Sequence, residues 1–430
     1  MLDTSELYEA VQRVFNDPKV ATTDDLSKAC RFCATDEKSV EAVESVKDLN
    51  ASLIGLLTVS LEGRADDDDE SVVDIRRARI ALRTLVNALN RSKKFAGSVS
   101  VECLTLFRAL IRIPDLHTET FAALVALARP MHSVCALSDA YTSLIGELVM
   151  LWESQSTCDS DRSWISALVS IHLEEDFGFL SSCFADFTPE KFTVLLHIIE
   201  VLMDSCHGEA TTKTHPNNIS FCVDFLQRVI FEFGQGLDDD RRSAYVEQVM
   251  YIVEILASAA LRESEFSPQL LDRSEPVEII VDVLDAVLDA EWLDENELKS
   301  EIHRSAHPDR PQRVPDIRST RVQENRGLTA LSAALRDSPM EIRANIKCEA
   351  VRAIGNLCSE RLSLRRAAGA RGAVLAVLRC ARLTERDRPF IVQWSISALR
   401  HLCLECPENQ LFILQMDQKP TGVIDRQKTP

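Results

Sequence analysis

The chain has 430 residues, 46% of them hydrophobic, enough to bury a sizeable core, so a disordered polymer is excluded as the starting reading. The formal charge of −19 is unevenly spread. The first 300 residues carry 26 Lys and Arg against 53 Asp and Glu, and residues 301–430 carry 22 against 14, so an acidic body precedes a basic end. The acidic body argues against nucleic acid, because phosphate binding needs clustered basic groups without competing carboxylates.

In chain order, Met1 to Glu6 shows no basic leader followed by an apolar run, and is read as having no signal segment. Past the acidic stretch Asp66 to Glu70, the residues Ala78, Leu82, Leu85, Val86 and Leu89 predict one helical stripe. Further stripes run through Val101 to Ile111, Phe121 to Leu127, Leu144 to Leu151, Phe192 to Met203, Phe221 to Phe233, Tyr245 to Leu261 and Ile279 to Leu288. Short breaks fall at Pro114-Asp115, at Glu153 to Arg162, at Thr188-Pro189-Glu190, at His215 to Asn218 and at Ser267-Pro268. No apolar run approaches the roughly 20 residues needed to span a bilayer. With 13 Gly and little β-branched alternation, the chain is expected to be almost wholly helical.

Ala353-Ile354-Gly355-Asn356-Leu357-Cys358 returns 45 positions later as Ala398-Leu399-Arg400-His401-Leu402-Cys403, and Ala81 to Val86 fits the same template loosely. That period falls in the range of armadillo and HEAT units, roughly 40–47 residues. The fold class expected is therefore all-α, an armadillo/HEAT-like solenoid of stacked helices wound as a right-handed superhelix. Pro308, Pro311 and Pro315 interrupt a charged stretch and cannot sit inside a helix. They divide the chain into an acidic helical-repeat array (1–302), a proline-rich linker or long loop (303–327), a C-terminal armadillo domain (328–417) and a disordered tail (418–430).

The C-terminal motifs carry a resemblance. Ile354-Gly355-Asn356-Leu357-Cys358, Gly372-Ala373-Val374-Leu375, Pro389-Phe390-Ile391, Trp394-Ser395-Ile396, Ala398-Leu399-Arg400 and Pro407-Glu408-Asn409-Gln410 together resemble the C-terminal domain of the ataxin-10 family. The chain departs from that pattern at Gln393, where the family usually carries an acid, and at Leu364-Arg365-Arg366, in place of an Asn-Gln pair. The resemblance implies a divergent member: a cytoplasmic, non-enzymatic armadillo scaffold associated with cytokinesis, with the centrosome or basal body, and with neuronal maintenance. Pro389, Phe390, Trp394 and Asn409 are its structural motif residues.

Chemical motifs are sparse. The pairs Cys30/Cys33 and Cys403/Cys406 lie far apart in sequence on predicted helices, and the 13 cysteines read as small core residues of a reduced protein. His303 and His307 stand four apart without the intervening glutamate of a zinc protease. Asp66 to Glu70 lacks the turn glycine of an EF-hand loop. No cofactor or metal is expected.

The repeat slot shared by Asn356 and His401 is either a solvent edge or a groove contact. The Trp-Asn pairing by which armadillo nuclear import adaptors hold extended peptides is missing, since Arg352 and Ser397 stand where the tryptophans would be. Arg352, Arg365, Arg366 and Arg400 are candidates for an acidic partner; the same basic end could instead pack on the chain's own acidic body. The function expected is a scaffold that binds other proteins, with possible self-association. A transport or nucleotide-exchange adaptor is the alternative, and an enzyme would need a titratable cluster that the sequence does not show.

Overall fold

The computed structural model describes residues 4–19, 21–35, 38–46, 48–61, 75–92, 100–132, 139–155, 157–204, 213–306, 320–381 and 390–418. Every regular element among them is a helix. In chain order these are α1 (Thr4–Asn16), α2 (Thr23–Thr35), α3 (Lys38–Glu44), α4 (Leu49–Leu61), α5 (Ile75–Arg91) and α6 (Val101–Leu110). After a 3-10 turn at Pro114–Leu116 come α7 (His117–His132), α8 (Asp139–Glu153), α9 (Asp159–Glu175), α10 (Phe179–Asp186) and α11 (Pro189–Asp204). Then follow α12 (Pro216–Gln235), α13 (Asp239–Ala259), α14 (Glu263–Leu270), α15 (Glu275–Ala306) and α16 (Thr320–Glu324). The last are α17 (Arg326–Asp337), α18 (Met340–Leu357), α19 (Leu362–Ala370), α20 (Ala373–Cys380), α21 (Phe390–Cys403) and α22 (Pro407–Gln418).

Local chemistry sets many boundaries. Pro189, Pro216 and Pro407 open helices, where a missing N–H costs nothing. Asp238 and Asn325 accept hydrogen bonds from first-turn amides of α13 and α17. Gly372 adopts a left-handed φ of 96° between α19 and α20, which a side chain would strain.

The chain divides into two compact units. Unit 1 holds residues 1–198 with 212–215, and unit 2 holds residues 199–211 with 216–430. In unit 1 one layer is α2, α5, α7 and α9, each packed on the next, and the other is α1, α4, α6, α8 and α10 in the same succession. Each pair of one helix from either layer is a repeat, and its apolar stripe is buried only against its neighbours. In unit 2 the corresponding stacked layer is α13, α18 and α21, backed by α12, α17 and α20. The long α15 runs against α17, α18, α19 and α20. Its face Val277, Ile280, Val281, Leu284 and Val287 is fully or nearly fully buried.

Two glycine contacts let helices of unit 2 approach closely. A Cβ on Gly327 would stand 2.2 Å from the Ile230 carbonyl oxygen, so α17 crosses α12 with no room for a side chain. At Gly355 a Cβ would lie 3.3 Å from Ala398, where α18 meets α21. The repeated Gly355 and Ala398 thus belong to the same helix contact.

Of the expected 303–327 connection, residues 307–319 lie outside the described residues. Its described margins lie in unit 2, residues 303–306 within α15 and 320–324 as α16, whereas the compact units divide at residues 198–216. Asp66 to Glu70, His307, Pro389 and the tail from residue 419 also lie outside the described residues.

Candidate partner-binding surface

An α-helix leaves its last four carbonyls without intrahelical donors. In α13 the Leu261 amide turns back to Ser258 O, so Ala257 O receives no main-chain N–H. Asn356 on α18 fills that gap by donating from Nδ2 to Ala257 O at 3.1 Å. The same step recurs one repeat later. The Ser359 amide bonds Asn356 O and leaves Gly355 O to His401, whose Nδ1 donates to it at 2.8 Å. Asn356 and His401, which share one slot of the sequence repeat, therefore share one job: each ties its helix to the preceding one. In unit 1, Thr84 Oγ1 sits 3.3 Å from Leu26 O, but its proton goes to Ile80 O at 2.8 Å. The tie there is made by Asn87, from Nδ2 to Cys30 O at 3.0 Å.

Between α18 and α21 opens a pocket of about 250 Å³ lined by Arg352, Asn356, Gln393, Trp394 and Ser397 above the Gly355–Ala398 contact. The Arg352 guanidinium carbon lies 5.2 Å from the centroid of the Trp394 ring, a cation–π pair. Arg352 Nη2 donates to Ser258 Oγ at 3.3 Å and pairs with Glu349 at 2.5 Å. Nη1 has no hydrogen-bond partner among the described residues, and neither has Asn356 Oδ1. Gln393 and Ser397 are exposed on α21.

A second pocket of the same size lies in unit 1 beside α2, α5 and α7, lined by Cys30, Arg83, Asn87, Thr118 and Glu119. Here Arg83 bonds the largely buried Glu119 carboxylate through Nε at 3.2 Å and Nη2 at 2.9 Å. Arg83, Asn87 and Glu119 carry no motif in the sequence, and Gln393 and Ser397 stand out there only as departures from the family and adaptor patterns. The signal for the last two was their one-turn spacing on α21.

The remaining expected partner residues separate sharply. Arg365, expected to meet an acidic partner, is instead only 4% exposed. Its guanidinium donates to Cys358 O at 2.8 Å, to Leu404 O at 2.9 Å and to Ser359 O, clamping the ends of α18 and α21. Asn409 is buried beside it and donates from Nδ2 to Arg365 O at 3.0 Å and Leu402 O at 2.7 Å. With Gln410, which donates to Cys403 O at 2.7 Å, it caps the end of α21. Arg366 is exposed and pairs with Glu408 at 3.2 Å. Arg400 and Phe390 are exposed on α21.

Much of the basic end is turned onto acidic α15. Arg321 reaches Asp282 at 3.1 Å and Asp285 at 3.3 Å, and Arg371 Nε reaches Asp282 at 2.9 Å. Lys347 pairs with Glu291 at 2.7 Å, while Arg336 and Arg343 converge on Asp294 at 2.7 and 2.5 Å. Burial alone would raise the Asp294 carboxyl; the hydrogen bonds from Arg343 and Arg336 outweigh it and hold the group below the usual aspartate range.

Burial pushes Cys33 and Cys358 up to about 12, and it also raises Cys30 and Cys403. Thiols in that state are poor nucleophiles and poor metal ligands. Among the described residues no three His, Cys, Asp or Glu side chains gather as a metal site, and no helix is long and apolar enough to cross a membrane.

Layered helix pairs, joined through last-turn carbonyls, define the class: an all-α protein of armadillo/HEAT-like repeats. Within it, residues 346–428 match the family model described as the spinocerebellar ataxia type 10 protein domain, so the C-terminal domain resembles the ataxin-10 family. No curated protein matches the chain. An engineered protein of known structure is similar over 92% of this chain and 98% of its own, at 11% identity and a TM-score of 0.35. A designed armadillo repeat protein is similar over 92% of this chain and 99% of its own, at 10% identity and a TM-score of 0.21. The class rests on the helix packing, not on these two likenesses.

Proposed function

We propose that this chain is a non-enzymatic scaffold of the ataxin-10 type, acting in the cytoplasm, that holds other proteins across the α18–α21 face. The observation that carries the reading is the pocket over Gly355 and Ala398, where Arg352 Nη1, Asn356 Oδ1, Gln393 and Ser397 have no partners within the described fold. Polar groups on an open face, unspent on stability, are available to a partner. By resemblance of the C-terminal domain, the cellular setting is regulation of cytokinesis, with centrosome or basal-body and neuronal maintenance roles.

The test compares proteins captured from dividing cells by the full chain and by a Gln393→Ala/Trp394→Ala variant whose far-UV circular dichroism is unchanged. Loss of a defined set of partners is expected. Identical sets would remove the α18–α21 face from the function.

A further inference from the structure

Resting on the scaffold reading, we infer that the α18–α21 pocket selects an extended, acidic segment of a partner protein, with one carboxylate seated on Arg352. The first ground is the Trp394 ring. An exposed aromatic face attracts cations, but this one is already covered by the chain's own guanidinium at 5.2 Å. A basic segment would meet a filled site and a like charge.

The second ground is the guanidinium itself. Its planar fork directs N–H donors at carboxylates, and on Arg352 the edge left open is that of Nη1. Nη2 is engaged by Ser258 and Glu349, while Nη1 makes no hydrogen bond among the described residues. Glu349 is the carboxylate facing Arg352 from its own helix, an i,i+3 neighbour that meets Nη2 at 2.5 Å and leaves Nη1 open. No carboxylate lines the pocket from α21. Unit 1 shows the contrast: there the next helix of the layer supplies Glu119, which takes the fork of Arg83.

The third ground is spacing. Gln393 and Ser397 stand one turn apart, about 6 Å along α21 at 1.5 Å per residue. Alternate residues of an extended chain repeat at about 6.8 Å, so successive outward main-chain groups of one strand reach both side chains. Asn356 Oδ1 is an acceptor for an amide of the same strand.

The experiment measures fluorescence anisotropy of labelled Ser/Gly peptides of about twelve residues carrying four Glu, four Lys or neither, against the full chain at about 50 and 300 mM salt. The glutamate peptide is expected to bind about tenfold tighter than the neutral one, to weaken with salt, and to lose about tenfold with Arg352→Gln. Arg352→Lys, which keeps the charge without the fork, recovers part of the loss. Gln393→Glu, an exposed change that leaves the fold intact, places a carboxylate on the α21 wall and lowers glutamate-peptide binding by a similar factor. Equal or tighter binding of the lysine peptide, or unchanged binding in both Arg352→Gln and Gln393→Glu, overturns the inference. If Gln393→Ala/Trp394→Ala loses its cellular partners while no glutamate preference is seen, the acidic chemistry fails and the scaffold reading stands. If that variant keeps all its partners, the scaffold reading itself fails.

Discussion

The pockets of units 1 and 2 are built alike and finished differently. Each lies along a stacked layer of helices, and each contains an asparagine that donates to a carbonyl of the preceding helix and an arginine one turn before it: Arg83 with Asn87, Arg352 with Asn356. In unit 1 the following helix contributes Glu119, which fixes the arginine. In unit 2 it contributes Gln393 and Trp394, which leave the arginine's Nη1 unbonded. A repeat scaffold therefore fixes where the polar groups stand, and the next helix decides whether they are spent on the fold or kept for a partner.

The largest expected effect breaks the frame around the unit 2 pocket. Arg365→Met removes a buried guanidinium from three carbonyls, Cys358 O, Ser359 O and Leu404 O, and should cost about 3 kcal/mol. Amide hydrogen exchange should show the loss across α18 to α22 with unit 1 unaffected; undiminished protection there would refute the clamp.

Next come the two asparagine ties. Asn356→Leu orphans Ala257 O, which has no main-chain donor, and is expected to lower stability by roughly 1–2 kcal/mol. Asn87→Leu should cost less, because Cys30 lies inside α2 and its carbonyl keeps an intrahelical donor. Denaturant titrations that ranked the two in the opposite order would show that the missing main-chain donor at Ala257 O does not set the cost.

Smaller again is the ion pair that closes the unit 1 pocket. A double-mutant cycle on Arg83 and Glu119 should give a coupling of about 0.5–1 kcal/mol that falls with salt, since Arg83 is largely exposed. A coupling near zero would mean that unit 1 is no more closed than unit 2.

The smallest effect concerns pH. Asp294 is held below its ordinary value near 3.8, so its pairing stabilises the fold at higher pH and that contribution disappears as pH falls through the folded value. Asp294→Asn should flatten the acid limb of a stability–pH curve below about pH 4; an unchanged limb would assign the acid sensitivity to other groups.

The helical stripes and the 45-residue recurrence made the fold class readable, because an apolar face at helical spacing states both the helix and its burial. The slot shared by Asn356 and His401 was readable too, although its purpose was not. A donor aimed at a last-turn carbonyl and a donor aimed at a ligand look the same in one dimension. Arg365 misled for a related reason: only the convergence of the ends of α18 and α21 makes a buried site for a charge. The imbalance between acidic body and basic end was visible, yet that Arg321, Arg371 and Lys347 settle on α15 depends on packing among elements more than 30 residues apart. Arg352 and Trp394, from different repeats, meet only because Gly355 lets α18 and α21 approach.

The most direct test of the contrast between the two pockets is site-specific photo-crosslinking, with a benzophenone amino acid placed at Gln393 in unit 2 or at Thr118 in unit 1 of the full chain, in dividing cells. The account predicts discrete partner adducts from position 393 and none from position 118. Adducts from position 118 alone, or equal yields from both, would contradict it.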